Sequence, residues 1–183
     1  VARNLIMVSI FIIIVALCNE TIYAGTTTQN INVNILAFSK LGVSSDVTFT
    51  IDSSSVSQPG GTITAQSDQT SYLRYTVVRS NSSGSINASL DSNLPTGWSL
   101  SLTADSVTTG KGSNKGVSAG QVILSNIPQA ILNSIGSCRT GTGVNDGSKL
   151  NYILQMDDSD NAWDAVKPGI TFTRIVTFTI NDI

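Results

Sequence analysis

The sequence predicts an all-β protein, a two-sheet antiparallel β-sandwich of about eight strands. Three observations predict it. Apolar and polar residues alternate with period two in segment after segment, which is the pattern of strands buried on one face. Clusters of Gly, Pro, Asn and Ser separate these segments at short intervals, as at Gln58-Pro59-Gly60-Gly61, Asn81-Ser82-Ser83-Gly84, Pro95-Thr96-Gly97, Asn145-Asp146-Gly147 and Pro168-Gly169. No stretch carries a convincing 3.6-residue apolar period, so a βαβ architecture is disfavoured.

The first 24 residues are set apart from that pattern. Arg3 precedes an apolar run of 13 residues, Leu5 to Leu17, and Thr21-Ile22-Tyr23-Ala24 ends in a small residue. That is the layout of a secretory signal peptide cleaved after Ala24. The run is shorter than the roughly 20 residues a membrane-spanning helix needs. The expectation is therefore a signal peptide over 1–24 and a single sandwich domain over 25–183. The chain would be secreted, extracellular or on the cell surface, with the periplasm as the alternative. Cys18 follows Val15-Ala16-Leu17 and resembles a bacterial lipobox, with Leu17 standing where a small residue is expected.

The strands follow in order. Ile31, Val33 and Ile35 alternate with Asn30, Asn32 and Asn34 and predict a first strand within Asn30–Phe38. Val47, Phe49 and Ile51 alternate with Thr48 and Thr50. Further strands are expected at Tyr72–Arg79, Ser85–Leu90, Trp98–Ala104, Gln121–Leu124, Leu150–Met156 and Thr171–Ile180. Pro128–Ile135 is open between a short helix and a short strand. Asn114–Gly120 reads as a flexible Gly/Ser/Lys surface loop. The pentapeptide Val-Thr-Phe-Thr-Ile occurs at both 47–51 and 176–180. It fits either a duplicated half-domain or convergence on one half-buried strand pattern.

Composition removes whole classes of function. The chain has no histidine, and its single glutamate, Glu20, lies in the expected signal peptide. Ser-His-Asp and Cys-His nucleophile systems, histidine zinc sites and glutamate general acids are thereby absent, and the chain reads as non-catalytic. Past Ala24, nine Lys and Arg face eleven Asp, so there is no basic footprint for nucleic acid and no polybasic membrane patch. Only Cys138 remains there, which excludes an internal disulfide. Burial as a small hydrophobe is its expected state, with pairing between chains as the alternative.

Two groups of residues are candidates for ligands. Asp157, Asp158, Asp160 and Asp164 cluster in Met156–Ala165, and calcium takes six to eight oxygen ligands of that type. The spacing lacks the Gly and the closing Glu of an EF-hand loop, so a solvated acidic turn is the competing reading. No other cofactor is indicated. Trp163 in the same loop, with Tyr152, is the candidate for stacking on a carbohydrate or surface ligand. Trp98 shares a face with Leu100 and Leu102 and is expected in the core.

Leu94-Pro95-Thr96-Gly97-Trp98 resembles the start of a strand in many bacterial immunoglobulin-like sandwich domains. Ile135–Gly147, followed by Leu150–Leu154 and the terminal alternating strand, resembles small secreted bacterial β-sandwich proteins of no assigned activity. The whole chain resembles pilins in layout. These resemblances imply an exported immunoglobulin-like or pilin-like sandwich and carry no catalytic residue. The expected function is a structural or surface subunit, fimbria-like, that pairs with other subunits through the strand bearing Ile31, Val33 and Ile35. The alternative is an adhesion module that binds carbohydrate or another surface ligand.

Overall fold

The computed structural model describes residues 25–80 and 84–181. The expected signal peptide and Cys18 lie outside the described residues. The chain divides into two compact units, Val1–Asn34 and Ile35–Ile183. In the first, residues 25–34 have no regular secondary structure and are exposed. The second is a two-sheet antiparallel β-sandwich with ten strands among the described residues.

The strands are β1 (Phe38–Val43), β2 (Gln66–Val78), β3 (Gly84–Leu90), β4 (Trp98–Ala104), β5 (Lys115–Ser118), β6 (Gln121–Ile123), β7 (Gln129–Ile135), β8 (Cys138–Arg139), β9 (Ser148–Met156) and β10 (Val176–Asn181). One sheet runs β1-β2-β9-β4-β6, with β8 also paired to β2. The other runs β10-β3-β7-β5. A short 3-10 helix spans Ser53–Ser55, and α1 spans Asp160–Ala165.

Alternation builds the core. Leu73, Tyr75 and Val77 of β2, Leu150, Tyr152 and Leu154 of β9, and Leu100, Leu102 and Ala104 of β4 face inward from the first sheet. Ile86, Ala88 and Leu90 of β3 meet them from the second, with Ile131, Leu132 and Ile135 of β7. The in-out period of the sequence is thus the period of the pleat. Cys138 is free and buried in the same core.

The segment 128–135 resolves as a strand. Its ambiguity has a physical cause. The β3–β7 register slips between Gly84 and Ile86 and again between Ile86 and Asn87, and Ser134 adopts φ 59°. A bulged strand loses strict alternation. Ile131, Leu132 and Ile135 are therefore all buried at a spacing that mimics a helix face.

Several expectations need correction. No strand forms over Asn30–Ala37; pairing begins at Phe38 with β1, whose sequence Phe-Ser-Lys-Leu-Gly-Val alternates too weakly to announce itself. Val47–Ile51 keeps alternating burial but joins no ladder. The last strand starts at Val176, five residues later than expected. The loop read at 114–120 contains β5, paired to β7 from Lys115↔Ile135 to Ser118↔Leu132.

A glycine makes β5 work. Gly116 sits at φ +110°, and a Cβ there would lie 2.6 Å from the Tyr75 hydroxyl. The missing side chain lets Tyr75 of β2 donate a hydrogen bond to the Lys115 carbonyl, joining the two sheets. A second tie runs from Arg79 at the end of β2. Its guanidinium donates to the carbonyls of Ile135 (2.9 Å) and Asn181 (3.3 Å), on β7 and β10.

Candidate functional site

Residues 30–37 form the first candidate site. Ile31, Val33 and Ile35 are 81%, 78% and 75% exposed. Residues 25–34 make no backbone hydrogen bond among themselves, and residues 35–37 make none to the rest of the sandwich among the described residues. The segment thus has a strand's side-chain pattern and a strand's unspent backbone donors and acceptors, without a ladder.

The acidic loop is the second candidate. Ser159 caps α1, its hydroxyl accepting from the Ala162 N–H at 3.4 Å, and Asp160 lies in the first turn, where the helix dipole favours negative charge. Ala162 is fully buried against Gly97. Gly97 has φ +84°, and a Cβ there would approach that of Ala162 to 2.3 Å, so the turn before β4 and α1 are fitted to each other. The sequence showed an acidic turn here; the helix was not legible because six residues are too few to display a period.

The four aspartates do not converge. Among the described residues no group of three or more Asp, Glu, Cys or His could hold a metal ion. Asp158 instead accepts a hydrogen bond from the Trp163 indole N–H at 2.7 Å. Thr62, Ile63, Met156, Asp157, Asp158 and Trp163 line a notch with room for about 10 Å³, the scale of a single water molecule. Small-molecule sites are commonly about 300–1,000 Å³. Trp163 is 40% exposed beside it.

Tyr152 does not join Trp163 at the surface. It is 5% exposed on β9 and belongs to the core. Trp98 is half-buried against that core as expected. It is also covered by Phe172, with ring centroids 6.3 Å apart, and the Arg174 guanidinium lies 5.8 Å from the Phe172 centroid. Arg174 Nε donates to the Asn93 carbonyl at 3.0 Å. The residues read as the first half of the last strand serve instead as a cover over Trp98.

Burial raises the pKa of both inward tyrosines, with Cys138 adding to the effect at Tyr75 and Asp68 at Tyr152. Raised folded values mean the native state holds these protons more tightly than the unfolded chain. Their contribution to stability is fully present below the unfolded tyrosine value of about 10 and is lost as pH climbs from there through the raised folded values. Burial also raises the pKa of the Cys138 thiol, so thermal midpoints should stay level from neutral pH to about 8, decline gently above it and fall steeply above about 10. Tyrosinate absorbance from Tyr75 and Tyr152 should rise together with unfolding. Free titration of both phenols in the folded protein would contradict this.

The two Val-Thr-Phe-Thr-Ile segments are both half-buried, as the strand pattern implies. The partly buried apolar residues packed on the core are Leu41, Val47, Phe49, Ile51, Leu94, Trp98, Val122, Val176, Phe178 and Ile180. Six of these ten come from the two Val-Thr-Phe-Thr-Ile segments, so the core is incompletely covered at both. The repeated pentapeptide was the available signal. Compared with known protein families, curated proteins and solved structures, the chain matches none.

Proposed function

We propose that this protein is an exported, non-catalytic structural subunit that assembles with copies of itself through residues 30–37, as a fimbria-like or surface-layer component. The observation that carries this reading is the state of Ile31, Val33 and Ile35. Three β-branched residues on one face of an alternating segment are exposed together, next to an unpaired backbone. Leaving such a segment in water is unfavourable, and adding it to another sheet satisfies backbone and side chains at once. The sparse charge of the chain and its lack of histidine support a structural role over a catalytic one. The adhesion alternative rests on Trp163 alone, and its indole N–H is already engaged by Asp158.

Size-exclusion chromatography with negative-stain imaging tests the reading. The chain from Gly25 onward should give a ladder of oligomers or filaments. A monomer at every concentration would remove the assembly role and direct attention to glycan arrays with Trp163→Ala as the control.

A further inference from the structure

We propose that the acceptor for residues 30–37 is the free edge of β10, with the core that Val47–Ile51 leaves half-open, on a second copy of this chain. This rests on the assembly reading above and names the surface that completes it.

Consider the edges available. In the first sheet, β1 carries Lys40, and β6 has three residues. In the second, β5 has four residues, begins with Lys115 and holds Gly116 at φ +110°. Lysine on an edge and very short edges are the usual guards against added strands. The edge strand β10 has neither. Its six residues, Val-Thr-Phe-Thr-Ile-Asn, include no charge, and it pairs with β3 alone. One side of its backbone therefore has no ladder partner among the described residues.

The side chains agree with the backbone. Val176, Phe178 and Ile180 pack on the core yet remain half-buried, as do Val47, Phe49 and Ile51. Residues 46–51 make no backbone hydrogen bond to a described residue. Two strand-like segments thus leave the same core incompletely covered, each with backbone groups to spare. The donor matches in period, chemistry and length. Residues 25–37 hold no charge, and Ile31, Val33 and Ile35 share one face. Eight residues extended span about 26 Å, enough to run the length of β10 at about 20 Å. Strand addition would bury those three side chains on the core and leave Asn30, Asn32 and Asn34 outward.

The test is photo-crosslinking in the full chain from Asn32→p-benzoylphenylalanine, which keeps the apolar face intact; Asn34→p-benzoylphenylalanine is the second variant. Isotopically heavy and light chains are mixed before illumination, and crosslinked peptides are mapped by mass spectrometry. The expected result is heavy–light pairs linking the probe to residues 176–181 or 47–51. Crosslinks to β1, β5 or β6 in mixed pairs overturn this acceptor while leaving assembly standing. Crosslinks confined to one isotope overturn the second copy as the partner. A chain that stays monomeric overturns the acceptor and the assembly reading together.

Discussion

Deleting residues 25–37 is expected to abolish oligomers completely while leaving the unfolding midpoint of the monomeric sandwich unchanged. The argument is one of exposure. Ile31, Val33, Ile35 and Leu36 are each more than 70% exposed, so a single chain gains almost nothing from them. Residues 35–37 also contribute no backbone hydrogen bond to the rest of the described sandwich. What it can contribute is intermolecular. Burying three such side chains at about 1.5–3 kcal/mol each, with a ladder of main-chain bonds, is enough to set an assembly equilibrium. Chromatography and urea titration on the same preparation separate the two effects. At dilutions where the full chain is itself monomeric, a deletion that still cost several kcal/mol of unfolding free energy would show that the segment completes its own sandwich.

The strands legible in the sequence are those whose one face is fully buried. Leu100, Leu102 and Ala104 alternate with Ser99, Ser101 and Thr103, and β4 falls at the expected residues, Trp98–Ala104. The same holds for most of β3 and β9, where burial alternates through Ile86, Ala88 and Leu90 and through Leu150, Tyr152 and Leu154. Alternation failed as a guide in two opposite ways. At β7 the bulge put consecutive apolar residues inside, so a real strand lost its period. At 31–35 and 47–51 the period is clean, yet no ladder forms, because alternation records what a side chain could bury and is silent about whether a neighbouring backbone is present. That distinction is also what links the candidate site to the fold. The segments with a strand's pattern and no strand's partner are those on which an assembly interface would be built.

The short elements were hidden for another reason. β5 is held by contacts remote in sequence: Tyr75 reaches the Lys115 carbonyl, and Gly116 supplies the space. Neither Lys115 nor Gly116 signals a strand locally, since both residue types are depleted in strands. Similarly, the buried hydroxyl of Thr140 accepts from the Tyr75 N–H at 3.1 Å and so anchors the stretch after β8 to β2. Such ties depend on pairs of residues about 40 and 65 positions apart, and a local window cannot contain them.

Leu102→Ala should destabilise the sandwich by about 2–5 kcal/mol, the usual range for a buried leucine whose surroundings relax only in part. Leu102 is fully buried on β4, which pairs with β9 on one side and β6 on the other. Its backbone is fixed opposite Tyr152 and Val122, so neighbouring strands cannot close readily over the cavity. A domain of this size commonly has about 5–15 kcal/mol in total, so the loss would remove a large part of it. Leu102→Met keeps most of the volume and should cost less than about 1.5 kcal/mol. Val33→Ala, on the exposed segment, should cost nothing measurable in the isolated chain and should weaken assembly instead. Urea midpoints for the three variants, read beside their oligomer distributions, test the division of labour directly: core residues set whether the sandwich folds, and the exposed alternating residues set what it joins. Equal midpoint losses at Leu102 and Val33 would contradict that division.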